Sequence, residues 1–150
     1  MTLEQLVPKL GVCQQLKSAG FPQDTVFVWV NAPQGFISGG GLYMDEKGIH
    51  QIPETSSKGY ANEVMLRSAV NTLHTVLCGA PTAEEIETEL PRTILRGQIY
   101  VLEVQRRGDI LDVWETDWYF NGLQLAASTT MTICGKESDS AALAYLWWKK

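Results

Sequence analysis

The sequence predicts an α+β fold: an antiparallel β meander of four to six strands with two to four helices packed mainly on one face. Three observations carry this expectation. Residues 98–106 and 110–120 read as long strands around Arg107-Gly108-Asp109, and Asn121-Gly122 supplies a second hairpin turn directly after them. Helix signals are clearest in short stretches near residues 6–20, 82–90 and 140–148. Finally, 150 residues that are 45% hydrophobic and 19% charged suit a single globular domain, 1–150, with a sizeable core.

The first helix rests on Leu6, Leu10, Cys13 and Leu16 at helical spacing, with Pro8 in its first turn. Its stop is clearer than its start. Gly20 can adopt the left-handed conformation, Phe21 can fold back on Leu16, and Pro22 blocks continuation. Residues 25–30 (TVFVWV) then read as a strand whose continuous apolar character places it centrally, covered on both faces. A turn at 31–35 leads through Phe36-Ile37 and the glycine-rich run Ser38, Gly39, Gly40, Gly41 to a strand at 42–44.

Residues 45–59 are polar and turn-rich, and 45–78 reads as an insertion or surface excursion, with a helix near 60–71 and a strand near 73–78. Thr82 followed by Glu85 forms a capping box for a short helix with Ala83, Ile86 and Leu90 inward and Pro91 behind it. In the hairpin that follows, a two-residue Gly108-Asp109 turn pairs Val104 with Val113 and Glu103 with Trp114. The alternative turn, one residue earlier, sets Glu103 against Asp112, which like charges disfavour. Residues 123–134 continue the meander. The last helix, 140–148, is capped by Ser138, Asp139 or Ser140 and turns Ala142, Leu143 and Leu146 inward, with Lys149 and Lys150 at its negative end. The terminal helices are expected to lie side by side.

Composition narrows function by exclusion. Twelve basic and 17 acidic side chains give a net charge of −5, which disfavours general phosphate-backbone binding, so nucleic acid is not expected as a partner. No stretch has the length and apolarity of a membrane span, and residues 1–20 show no secretory pattern. Three cysteines without a CxxC point to reduced thiols and a cytoplasmic setting.

Three blocks occur in order: residues 16–23 (LKSAGFPQ), 80–86 (APTAEEI, leading to Leu90-Pro91) and 141–147 (AALAYLW). This order resembles small uncharacterised proteins of bacteriophage and bacterial genomes that carry an LKxAGFPQ block, an APTxEEL block and a terminal ALAxLWL helix. The resemblance implies a phage or mobile-element setting and a compact α+β domain. It implies no chemistry and assigns no catalytic residue.

Candidate sites are few. The run Ser38–Gly41 could cradle a small ligand or nucleotide, but it lacks the GxxxxGK[ST] and GxGxxG patterns, and a hairpin connection accounts for it. His74 and Cys78 would share a face only on a continuous helix, and two ligands do not make a metal site, so neither metal nor cofactor is expected. The roles of His50, His74 and Cys78 stay open. Glu115 and Asp117 share one strand face, an alternation that a half-solvated sheet requires in any case, so acid–base chemistry is not needed to explain the pair. Trp114 and Trp118 share the other face, as core or as a stacking surface. Adjacent Trp147 and Trp148 cannot both turn inward on a helix, which places one of them at a surface or interface. The expected function is therefore a non-catalytic accessory or binding protein acting through protein contacts or self-association. The alternative is a small-ligand or nucleotide binder, with hydrolase chemistry included, using 38–41 and sheet carboxylates.

Overall fold

The computed structural model describes residues 2–34, 42–51, 59–107, 113–121, 123–125 and 136–150. The fold is α+β, built on two antiparallel sheets. The first has strand order β4-β1-β5, from β1 (Phe27–Gln34), β4 (Gly59–Leu66) and β5 (Thr75–Ala80). The second has order β6-β7-β8-β9, from β6 (Thr93–Arg96), β7 (Gln98–Arg107), β8 (Val113–Phe120) and β9 (Leu123–Gln124). Among the described residues, a two-stranded hairpin of β2 (Leu42–Asp45) and β3 (Gly48–Gln51) pairs with neither. The helices are α1 (Leu10–Ser18), α2 (Ala83–Glu89) and α3 (Glu137–Trp148).

These layers follow one another in space. Helix α1 packs on β5 and on α3, α3 packs on β8, and α2 lies against α3. Helix α1 thus covers the first sheet, and α3 covers the second, an antiparallel meander of four strands as expected, while meeting both other helices. Helix α3 explains why. Ala141, Ala142, Ala144 and Tyr145 are all buried, so it is apolar around most of its circumference and needs cover on several sides.

Helix α1 ends as its sequence requires. Gly20 has φ +88°, its N–H donates to the Lys17 carbonyl (3.1 Å), and the Phe21 N–H donates to Leu16 (2.9 Å), a full Schellman motif. Its start differs from expectation: Lys9 is the N-cap and Pro8 lies outside the helix. There the Pro8 carbonyl accepts from both the Trp29 indole (3.1 Å) and the Cys13 thiol (3.3 Å). Strand β1 is central, with Val28 and Val30 buried on one face and Trp29 on the other. It runs on through 31–34, where the sequence suggested a turn, because β4 pairs with it as far as Gln34 opposite Gly59.

The expected helix at 60–71 is strand β4 followed by a short 3-10 turn, Arg67–Ala69. The helical spacing of Leu66, Val70, Leu73 and Leu77 yields to sheet pairing, since a central β1 needs a partner on each side. With no helix there, the i,i+4 face that would join His74 to Cys78 does not form. Within the polar stretch, the Glu46-Lys47 turn closes a hairpin instead of a loop.

The loop into β1 is tied tightly. Thr25 Oγ1 donates to the Phe27 carbonyl (2.6 Å) and accepts from Ala80 N–H (3.2 Å), while Arg67 Nε donates to the Thr25 carbonyl (2.8 Å). The capping box of α2 forms as read: Glu85 N–H donates to Thr82 Oγ1 (3.3 Å) and Thr82 N–H to Glu85 Oε2 (2.7 Å). The other Glu85 oxygen accepts from Val26 N–H (3.1 Å), so one side chain caps α2 and holds the entry to β1.

The β7–β8 register differs from expectation by three positions. Val104 faces Thr116 and Glu103 faces Asp117. A two-residue turn would have set Tyr100, Leu102 and Val104 on the same side as Glu115 and Asp117. The observed register puts them with Trp118 and Thr116 under α3, so side-chain matching outweighs turn preference and one like-charge pair. The turn itself, 108–112, lies outside the described residues, as do 126–135, where most of the third meander strand was expected. Strand β6 was not anticipated; Gly97, at φ +71°, folds it back on β7. Helix α3 begins at Glu137 with Lys136 as its N-cap, earlier than expected. The Lys136 ammonium donates to the Glu4 and Val7 carbonyls (3.1 and 2.8 Å), binding the N-terminal segment to α3. Helices α1 and α3 are neighbours, as the sequence suggested.

Candidate functional site

The chemistry of this chain concentrates on the second sheet, where alternation separates two faces. Toward α3, β8 presents Thr116 and Trp118, both fully buried. Thr116 Oγ1 accepts from the Ser140 hydroxyl (2.9 Å), and the Trp118 indole N–H donates to the Pro91 carbonyl (2.8 Å). Trp118 stacks on Trp147 with ring centroids 5.5 Å apart.

The tryptophans singled out by sequence therefore have distinct roles. Trp118 is core, out of reach of any partner that leaves the fold intact. Trp114 is half-buried opposite Arg106. Trp147 and Trp148 are both half-buried: the Arg96 guanidinium lies 5.5 Å from the Trp147 ring, and the Lys149 ammonium 4.5 Å from that of Trp148. Trp148 also packs edge-on to Tyr145 (5.7 Å). Adjacent on the helix, the two rings find separate aromatic neighbours, each topped by a cation.

The outer face is less conventional. Glu115 and Asp117 are completely buried (0% and 1% exposed), not the solvated alternation that the sequence suggested. The Tyr119 hydroxyl donates to Glu115 Oε1 and accepts from Gln124 Nε2 (2.8 Å). Asp117 Oδ1 accepts from Trp118 N–H (2.7 Å). Across the strand pair, Gln105 lies opposite Glu115 and donates to Glu103 Oε2 (2.7 Å), and Glu103 lies opposite Asp117. The result is a polar row in which carboxylates and amides hold one another.

On the same outer face, but along β6 and β7, the surface turns apolar. Leu95 faces Ile99 across the strands, and Val101 follows Ile99 at i+2. These three are 76%, 59% and 49% exposed. Sequence reasoning missed them because β6 was not foreseen. The signal was present in adjacent apolar pairs, Ile94-Leu95 and Tyr100-Val101, which give each strand an apolar residue on both sides.

The remaining candidates do not join this site. Ser38, Gly39, Gly40 and Gly41 lie outside the described residues, as does Cys134. His50 belongs to β3, with its side chain outside the described set. His74 Nδ1 accepts from Asn71 N–H (3.0 Å), a local turn contact. Cys13 and Cys78 are buried in the core around Trp29; burial pushes the Cys13 thiol up to about 12 and raises Cys78, against which Lys17 acts. Both are held as thiols, which suits packing and disfavours nucleophilic attack. Among the described residues, no group of three or more His, Cys, Asp or Glu is arranged to hold a metal, and no helix is long and apolar enough to cross a membrane. The chain matches no protein-family model, no curated protein and no solved structure.

Proposed function

We propose that this chain is a non-catalytic accessory protein that acts by protein contact, first of all with a second copy of itself, in a phage or mobile-element setting. The observation that carries the reading is the outer face of β6 and β7, where Leu95, Ile99 and Val101 form a contiguous exposed apolar patch. Aliphatic residues grouped in this way on a regular sheet mark association surfaces more often than isolated exposed ones do. The setting rests on the resemblance of the three sequence blocks. The thiols support the non-catalytic part, because burial keeps both in the unreactive form.

Sedimentation velocity of the full chain over a wide concentration range tests the proposal. Concentration-dependent dimer formation that Ile99→Lys abolishes is the expected result. A wild-type chain that stays monomeric at every concentration, or a dimer that Ile99→Lys leaves intact, overturns it.

A further inference from the structure

Strand β6 ends its sheet: β7 pairs with it on one side, and among the described residues no strand pairs on the other. The phase of the ladder fixes which backbone groups the open side carries. The Leu102 N–H donates to the Arg92 carbonyl (2.8 Å), one step before Thr93 opposite Val101. Antiparallel pairs alternate between bonded and non-bonded, so Ile94 and Arg96 turn their N–H and carbonyl groups to β7. Thr93 and Leu95 turn theirs outward. The strand is held ready in this pose, since Ile94 packs against the core around Trp118 and the Trp118 indole holds the Pro91 carbonyl. Open edges are commonly blunted by charge or by cover, yet the middle of this one is Leu95, 76% exposed.

The charge on the edge decides which strand fits it. Arg96 is exposed and lies on the helix side, with its guanidinium 5.5 Å from the Trp147 ring. The charged residues that follow on α3, Lys149 and Lys150, are also cations. A second copy pairing about a two-fold axis must set residues of the same face opposite each other, which centres the register on Ile94, Leu95 or Arg96. Those registers place Arg96 opposite Arg92 of the second copy, diagonal to its Arg96, or directly opposite its Arg96. Each one gathers like charges across the seam. A carboxylate at that position reverses the sign.

We propose that the open edge of β6 takes an extended segment of another protein as a further strand, with an acidic residue opposite Arg96 and an aliphatic one opposite Leu95. Backbone bonds to Thr93 and Leu95 supply affinity, and the two side-chain pairs supply choice. Arg92, at the other end, shares a cavity with Glu84 and Glu87, so no net positive charge marks that end and Arg96 does the discriminating. This goes beyond the proposed self-association, which uses side chains of the outer face and not the backbone of the edge.

The test adds a blocked peptide, Ser-Glu-Val-Val-Thr-Ser, to the full nitrogen-15-labelled chain and follows amide shifts and hydrogen exchange. In the free chain the Thr93 and Leu95 amides should exchange faster than that of Ile94, and the peptide at millimolar concentration should shift and slow both. A peptide with Lys in place of Glu should bind about fivefold more weakly. Arg96→Glu should invert that preference, which a merely structural role for Arg96 would not do. Thr93→Pro removes an outward N–H at the first position of the strand, where proline is tolerated, and should lose binding while keeping the outer face. Should that variant not fold, the inversion by Arg96→Glu carries the test. Three results overturn the proposal: no response of Thr93 and Leu95 at millimolar peptide, equal binding of the two peptides, or slowing of the Leu95 amide by raised concentration of the chain alone, which would give the edge to a second copy.

Discussion

Strands β7 and β8 lie side by side in one sheet, yet their outer faces break the usual order of burial in opposite senses. On β8 the completely covered residues are Glu115 and Asp117; on β7 and its neighbour β6 the uncovered ones are Leu95, Ile99 and Val101. Charged side chains are almost never fully buried without partners, and single exposed aliphatics need no explanation. A carboxylate row beside an apolar patch is therefore informative twice over. The row is sustained by hydrogen bonds from Tyr119 and the Trp118 backbone, whereas the patch has nothing comparable in the described fold. The first belongs to folding; the second is the face on which the proposed association rests.

The largest effect should come from the opposite side of β8, which anchors both regions to the helices. Trp118→Ala removes a fully buried ring that stacks on Trp147, and leaves the Pro91 carbonyl without its donor. Urea unfolding should show a loss of about 3–5 kcal/mol. A loss under about 1 kcal/mol would mean that the helix side is not what fixes the sheet, and the contrast between its outer regions would lose its frame.

Next in size is Tyr119→Phe, which removes the hydroxyl linking Glu115 to Gln124 while keeping the ring. Because a buried carboxylate loses a donor, about 1–3 kcal/mol of stability should disappear in the same measurement. A neutral result would show that the remaining contacts of Glu115 suffice. The polar row would then resemble the apolar patch in contributing little to the fold.

What the sequence disclosed divides along physical lines. Local chemistry was readable: the Schellman end at Gly20, the Thr82–Glu85 box, and the apolar run that marks β1 as central. Those signals depend on residues within one turn or one strand. Sheet partners were not readable in the same way. Helical spacing runs from Leu66 through Val70, Leu73 and Leu77, yet the chain up to Leu66 became β4 because β1 offered an unpaired edge. The hairpin register followed the match of Leu102 with Trp118, not the turn that Gly108-Asp109 prefers. At the candidate site, the shared face of Glu115 and Asp117 was legible from their i,i+2 spacing, but its burial was not, since alternation gives sides and never says which is covered.

Thr82→Ala offers a smaller and more local perturbation. It deletes the cap of α2 while Glu85 can still reach Val26. A cost of about 1 kcal/mol is expected. Helix α2 sits on the α3 side of the molecule, so the proposed self-association through the outer β6–β7 face should be unchanged in this variant. A parallel fall in both quantities would tie the apolar patch to α2 and blur the division drawn above.

The smallest stability effect should accompany the largest effect on association. Ile99 is more than half exposed, so Ile99→Lys removes little buried area and places an ammonium in water, at the face where its long stem can still lie along Leu95. Urea unfolding at a concentration where the chain is monomeric should give a change within about 0.5 kcal/mol of wild type. Measured beside the sedimentation experiment, this separates two explanations of the same loss. A variant that stays folded and stops associating assigns the patch to contact between chains. One that loses stability by several times that amount assigns Ile99 to the fold itself, and β6 and β7 would then follow the same rule as β8.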